Sequence, residues 1–236
     1  MTREGEYLHQ KLEGAFEKIG AAIDEITGLR GGATIKVVLR PFFSSFWLAP
    51  RLKSFWAAHP EVNLNLIHAL APETIQFEEI DVAIVWGKGK WDGLESTLLV
   101  PGELTPILHR SLAERLGVPQ VPADLLRYPL LHEESKLNWS TWFAQMGVGG
   151  GMGKNDQIVD DTNVRYQSMI NGQGVMLGCP SLLKDQIDCG ELIRPFSHFL
   201  SDFSYYLVFS AKKPIRSRSR KFIEWILNEC RQGNEG

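Results

Sequence analysis

The rhythm of hydrophobic positions changes near residue 32. Before it, Leu8, Leu12, Ala15, Ile19, Ala22 and Ile26 recur at intervals of 4, 3, 4, 3 and 4. That is the a/d seam of a heptad helix. Glu6, Lys11, Glu13, Glu17, Lys18, Asp24 and Glu25 occupy the rest of its surface. So narrow a stripe suits a partner helix better than a broad core face. Residues 2–28 therefore read as a linker helix whose seam pairs subunits, with packing on its own domain as the alternative. Gly14 and Gly20 each weaken the helix by up to about 1 kcal/mol, but allow close approach. Thr27-Gly28-Leu29-Arg30-Gly31-Gly32 ends it as a linker.

From Ala33 onward, short apolar strands alternate with helical periodicity. Thr34–Leu39 reads as a strand. Ser44 or Ser45 is expected to cap a helix whose face carries Trp47, Leu48, Arg51, Leu52, Phe55 and Trp56, and His59-Pro60 stops it. Val62, Leu64 and Leu66 alternate with Asn63 and Asn65 as a half-buried strand. A short helix is expected near Glu73–Glu78, then a buried strand over Ile80–Trp86 that holds one charge, Asp81. The theme continues with a strand at Leu104–His109, a helix at Ser111–Leu116 and a strand at Leu130–His132. Next come a short helix capped by Asn138, carrying Trp139, Trp142 and Phe143, and a glycine-rich loop over Gly147–Gly153. Then follow a strand at Gln157–Val159, a helix capped by Asp161 or Thr162 and running through Ile170, and a strand at Val175–Leu177. A helix near Leu182–Ile187, a strand at Tyr205–Phe209 and a terminal helix around Phe222–Leu227 complete the series. Strand–helix–strand repetition implies an α/β fold with parallel or mixed sheets. No internal repeat is visible.

Composition narrows the function. At 236 residues the chain can form one large domain or two lobes of roughly 100 residues each. Its net charge of −3 argues against DNA binding by this chain alone, which would call for a basic surplus. Arg216, Arg218, Arg220 and Lys221, interleaved with serines, read as a solvated helix start. Cys179, Cys189 and Cys230 are odd in number and widely spaced, so reduced thiols in a cytoplasmic protein are expected. The N-terminus shows no signal-peptide core, and no apolar run is long enough to span a membrane.

Familiar catalytic motifs fail on particular residues. Before Gly153-Lys154, the first P-loop glycine is replaced by Val148, and Asn155 stands where Ser or Thr is required. GxGxxG fails at Met152 when read from Gly147, and at Leu177 when read from Gly172. His132-Glu133-Glu134 begins like HExxH but lacks the second histidine, so no metal site is expected. No GxSxG elbow occurs, and neither a cofactor nor enzymatic activity is expected. What remains is a junction, Arg40-Pro41-Phe42-Phe43-Ser44-Ser45. It offers a cation, hydroxyls, aromatic walls and free backbone N–H groups where a strand meets a helix. Those groups suit a small anionic or zwitterionic molecule. The alternative is that Arg40 is a surface charge and both phenylalanines are core.

These residues carry a family likeness. Pro41-Phe42-Phe43-Ser44-Ser45-Phe46-Trp47-Leu48-Ala49-Pro50-Arg51-Leu52, then Phe55 and His59-Pro60, resembles the opening of the effector domain of LysR-type bacterial transcription regulators. Asp81-Val82-Ala83-Ile84-Val85-Trp86-Gly87, with Gly89-Lys90-Trp91-Asp92-Gly93-Leu94, is similar to a second family segment. So are Leu130-Leu131-His132 with Trp139 and Trp142, Asp161-Thr162, and Asn171-Gly172-Gln173-Gly174-Val175-Met176-Leu177-Gly178. Gly190-Glu191-Leu192-Ile193-Arg194-Pro195-Phe196 and Tyr205-Tyr206-Leu207-Val208 complete the order. The likeness is to the subgroup containing the glycine-cleavage activator and the β-lactamase-inducing regulator.

The resemblance implies a two-lobed, type 2 periplasmic-binding-protein-like fold behind a long linker helix. Lobe I would take 32–100 plus 206–236 and lobe II 102–205, joined by crossover strands near Leu99–Leu104 and Phe203–Leu207. A small-molecule effector would lie between the lobes, against Arg40, Phe42, Ser44, Trp86, His132, Thr162 and Tyr205. Subunits would assemble as dimers or tetramers. DNA would be bound only through a winged helix-turn-helix preceding this chain, whose tail Thr2-Arg3-Glu4-Gly5 resembles. There are departures. The family often has Ser or Thr where Arg40 and Phe42 stand, and Arg-Tyr-Gly where this chain has Val85-Trp86-Gly87. On this reading the ligand's counter-charge moves to Arg40. A solute-binding protein of the same fold, or a headless regulator that poisons full-length partners, are the competing expectations.

Overall fold

Ile35, Val37 and Leu39 are fully buried on one face of a strand, β1 (Ala33–Leu39), while Thr34 and Lys36 face solvent. The computed structural model describes residues 33–69, 75–77, 79–133, 136–149, 156–212 and 215–234, with Thr2, Leu12, Ala15 and Ile19. After β1, Pro41 sits in the first turn of a helical run, where its missing N–H costs nothing. The run is broken into pieces: α1 (Pro41–Phe43), a π-helical turn (Ser44–Leu48), a 3-10 turn (Ala49–Arg51) and α2 (Leu52–Ala58). Pro50 explains the break, because it has no N–H to give and its ring crowds the preceding turn. Ala49 N–H therefore reaches back to the Ser44 carbonyl, a wider loop than an α-helix uses. The expected Ser44 or Ser45 cap is absent. The helix has already begun at Pro41, so Ser44 lies within it, and its own N–H donates to the Arg40 carbonyl at 3.0 Å. Trp47, Leu48, Leu52 and Phe55 are buried as the periodicity predicted, but Trp56 is 49% exposed.

Two five-stranded mixed sheets follow. The first runs β2-β1-β3-β10-β4, with β2 (Val62–His68), β3 (Val82–Gly87), β4 (Leu94–Val100) and β10 (Ser204–Ser210). The second runs β7-β6-β8-β5-β9, with β5 (Thr105–His109), β6 (Leu130–His132), β7 (Gln157–Ile158), β8 (Val175–Gly178) and β9 (Leu192–Ile193). Each sheet has three parallel strands and then an antiparallel one that arrives directly from the other half: β10 in the first, β5 in the second. The halves thus repeat one topology without repeating a sequence. The helices of the second half are α3 (Arg110–Leu116), α4 (Leu137–Gln145), α5 (Thr162–Ile170) and α6 (Lys184–Asp188), while α7 (Ser217–Asn234) packs on the first.

The core is continuous across both sheets. Ile35, Val37, Ile84 and Leu207 of the first sheet share a cluster with Ile107, Leu131 and Met176 of the second, joined by Phe55, Phe222 and Met169 from the helices. The far face of the second sheet buries Trp139, Trp142 and Phe143 of α4 against Leu108, Leu130 and Val175. Asp81, just before β3 rather than inside it as expected, has a structural role. Its carboxylate accepts from Lys36 N–H at 2.9 Å and from the Ser219 hydroxyl at 3.1 Å, so it ties β1 to the first turn of α7. The basic run there is a helix start, with Lys221 paired to Glu61 at 2.7 Å.

Several local expectations shift. Asn138 lies inside α4 rather than capping it, because Lys136 takes that position and the Asn138 amide turns to Glu133. Ile75, Gln76, Phe77 and Glu79 are not helical, and the rest of the helix expected near Glu73–Glu78 lies outside the described residues. The same holds for Gly150–Gly153 of the glycine-rich loop. Asp161 caps α5, accepting from Val164 N–H at 2.9 Å. Strands β4 and β9 were not anticipated, since β4 alternates no apolar pattern and five of its residues are exposed or half-exposed.

The chain passes between the sheets twice, over 101–104 and 200–204. Leu104 and Leu200 exchange backbone hydrogen bonds of 2.8 and 2.9 Å, and Gly102 N–H donates to the Ser204 hydroxyl at 3.1 Å. Leu99, Val100 and Tyr205 already belong to strands of the first sheet. A Cβ on Gly102 would collide with the Phe203 carbonyl oxygen and the Trp86 ring. Gly102→Ala is therefore expected to lower stability by about 3 kcal/mol in urea unfolding. Gly149→Ala, where an added Cβ meets nothing within 4 Å, should leave the midpoint close to the parent value.

Candidate functional site

Parallel strands end where their successors turn away, and the groups just beyond those ends converge. Arg40 follows β1 in extended conformation, φ −75 and ψ 142. Trp86 lies at the end of β3 and pairs in register with Tyr205 at the start of β10. Their rings meet edge to face at 4.7 Å, and the Phe203 ring lies nearly parallel to Trp86 at 6.3 Å. From the second sheet, Glu133 follows β6, and the first turn of α5 presents Thr162 and Arg165.

Arg165 is the centre of this arrangement. It is 2% exposed and reaches back over the start of its helix. One terminal nitrogen, Nη1, donates to the carbonyls of Val159 at 2.7 Å and Asp160 at 3.3 Å. The other, Nη2, donates to Glu133 Oε1 at 2.7 Å and to Thr162 Oγ1 at 3.3 Å. Burial lowers the guanidinium pKa. Glu133, Asp160 and Asp161 oppose that shift, and Arg40, from the other sheet, adds to it. Tyr205 is 6% exposed, and burial pushes its hydroxyl pKa up. Cys179 raises it further, Arg40 and Arg165 oppose the rise, and Glu133 adds to it. Two cations, a carboxylate, an indole and a buried phenol thus meet where the sheets adjoin.

Of the residues read from the sequence, Arg40, Trp86, Thr162 and Tyr205 are brought together here. Phe42 lies alongside but is 4% exposed, its ring 4.4 Å from Phe46 and 5.9 Å from Tyr166. Ser44 is half-buried within the π turn. His132 points elsewhere. It shares its face of β6 with Leu130, toward Trp139, with ring centroids 6.4 Å apart. Its Nε2 lies 3.0 Å from Asp156 Oδ2, outside hydrogen-bonding geometry, and Lys136 Nζ lies 3.5 Å from the same oxygen. Glu133 and Arg165 were missed. Arg165 stands one turn before Met169 in the buried stripe of α5, a charge in an apolar face, and that was the available signal. Leu12, Ala15 and Ile19 of the seam are helical and exposed, while Leu8, Ala22 and Ile26 lie outside the described residues.

This is the fold of a two-lobed effector-binding domain of the type 2 periplasmic-binding-protein-like class. The LysR substrate binding domain family model matches residues 30–231, and the chain belongs to that family. It is 28% identical to the glycine cleavage system transcriptional activator of Escherichia coli K12 over 228 residues, covering 96% of this chain and 75% of that protein. It is 30% identical to the transcriptional activator AmpR of Pseudomonas aeruginosa over 228 residues, covering 96% of this chain and 76% of that protein. The solved effector domain of that AmpR superposes with a TM-score of 0.73 at 28% identity, covering 86% of this chain and 98% of that one. These relatives are transcription regulators. No helix among the described residues is long and apolar enough to cross a membrane.

His132 supplies a test of the second half's packing. Burial lowers its pKa below the ordinary 6.5, outweighing Asp156. The unfolded chain therefore takes up a proton that the folded chain refuses. Stability from this group is complete above the unfolded pKa and is lost as pH falls toward the folded one. Between about pH 7 and pH 5 the urea midpoint should fall more steeply in the parent chain than in His132→Gln.

Proposed function

We propose that this chain is the sensing part of a LysR-type transcription regulator, acting in the cytoplasm. In this reading a small carboxylate or zwitterion binds between the two sheets and alters how subunits are arranged. The observation that carries the reading is the convergence of Arg40, Trp86 and Tyr205 with Arg165 and Thr162 at adjoining strand ends. Arg40 gives an anionic group its counter-charge, and Trp86 gives it an apolar wall. Binding shifts a pre-existing equilibrium only by the ligand's differential affinity for the two arrangements. DNA contact is assigned to a winged helix-turn-helix outside this chain, consistent with the net charge of −3.

The exposed helical positions Leu12 and Ile19, 47% and 53% accessible, favour a regulator over a solute-binding protein, which has no use for such a seam. They are assigned to pairing with a second copy. Replacing both with Glu should lower the molar mass seen by light scattering by at least one oligomeric step, with the fold unchanged by circular dichroism. An unchanged mass would reassign the seam.

The ligand reading is tested by thermal unfolding against amino acids, aliphatic carboxylates and aromatic acids. A ligand at about 100 times its Kd stabilises the fold by about 2.7 kcal/mol, which is roughly 5–10 °C for a chain of this size. Arg40→Ala should abolish the shift. A hit indifferent to Arg40 places the site elsewhere.

A further inference from the structure

The ion pair at the centre of the cleft is lopsided. The Arg165 side chain is 2% exposed, and the Glu133 side chain is 47% exposed. The guanidinium is fixed from beneath by the Val159 and Asp160 carbonyls and by Thr162. Its remaining hydrogen bond goes to a carboxylate that reaches in from the solvent side. Asp160 and Asp161 act on Arg165 through space, but Glu133 alone among the described carboxylates touches it. A buried cation needs a hydrogen-bonded counter-ion, whatever its source.

Glu133 also has somewhere to go. Its Oε2 accepts from the Asn138 amide at 3.1 Å, in the first turn of α4. A carboxylate drawn back onto that turn keeps a donor, and a helix start favours negative charge. The place it vacates adjoins Arg165, whose guanidinium also lies within electrostatic reach of Arg40 and Tyr205 of the first sheet.

We propose that Glu133 is a tethered competitor, occupying the anion position on Arg165 in the ligand-free chain, and that a small carboxylate binds by displacing it toward Asn138. The exchange rests on the cleft reading given above. It is a swap of one carboxylate for another, so the charge on Arg165 stays neutralised throughout. The ligand's carboxylate, unlike that of Glu133, carries a molecule that spans to Arg40 and Tyr205. The competitor sets the ligand threshold: the tighter Asn138 and solvent hold Glu133, the less ligand is needed.

The test uses the chain as it stands, titrated with potassium acetate against potassium chloride at matched ionic strength, so that screening is equal in both arms. Melting temperature and tryptophan fluorescence are the readouts. Glu133→Gln, which keeps the shape and removes the charge, should respond to acetate at least 10-fold below the concentration the parent chain needs, and Arg40→Ala should weaken both. Asn138→Ala, which leaves the Arg165 pair intact and removes the alternative berth, should require more acetate than the parent. Equal midpoints for the parent and Glu133→Gln, with Arg40 still required, would overturn the displacement and leave the cleft reading standing. No chloride-corrected response to acetate, succinate or benzoate in any of these chains would overturn both. If Glu133→Gln proves poorly folded, the direction of the Asn138→Ala shift decides: a move to less acetate, or none, overturns the proposal.

Discussion

The structure depends on a close approach of backbone to backbone where the chain crosses between its sheets. Gly102 lies against the Phe203 carbonyl and beneath the Trp86 ring, with no room for a side chain. That contact draws the two crossings together, and the Leu104–Leu200 hydrogen bonds fasten them one step further on. Because both crossings run through one narrow passage, each sheet receives its antiparallel strand from the other half. Tyr205 thereby starts β10 directly opposite Trp86. The Cys179 thiol, its pKa pushed up to about 12 by burial, donates to the Pro101 carbonyl at 3.3 Å on the same passage. Thr105 anchors the far side by donating to the carbonyls of Phe196 and His198.

On either side of the joint, the strand ends decide what faces the cleft. Parallel strands release their chain at one end, and in both sheets that end carries a charged residue, Arg40 after β1 and Glu133 after β6. Burying Arg165 beside them would destabilise the fold by several kcal/mol if it were unpaired. Four hydrogen bonds, two of them to carbonyls that precede its own helix, offset that. The guanidinium also satisfies backbone acceptors that an apolar residue would leave bare, so its position is set by the local backbone before any ligand is considered.

The sheets were legible where burial is one-sided or complete, as in Val62–His68 and Val82–Gly87, because periodicity reports exposure and nothing else. Strand β4 is hidden for the same reason: its outward side chains are mostly polar, with Leu98 exposed among them, and its place comes from pairing with β10, a strand more than 100 residues later. The helix start was misplaced because serine is a good cap in general, whereas Pro41 had already opened the run. In the cleft, residues that leave a strand end could be named: Arg40, Trp86 and Tyr205. Glu133 and Arg165 could not, since their importance lies in a contact across 32 positions that no local spacing encodes. His132 stands next to Glu133, and one residue along a strand is enough to send it to the opposite face.

The aromatic contact between the halves sets the terms on which any ligand acts. Tyr166 of α5 meets Phe46 at 4.3 Å and Phe42 at 5.9 Å, so a ring from the second half seats against two from the first. Such pairs add about 0.5–1.5 kcal/mol each beyond the area they bury. Together they hold the halves in contact by about 1–3 kcal/mol, equivalent to roughly a 5- to 150-fold bias in population. A ligand small enough to bridge Arg40 and Arg165 with those rings still in contact adds its own energy to the same arrangement and deepens the bias. A ligand that must part Phe42 from Tyr166 spends its binding energy against the contact, and drives the halves toward a different orientation. On the cleft reading proposed above, ligand size relative to the aromatic seat, more than affinity, would therefore set the direction of any switch.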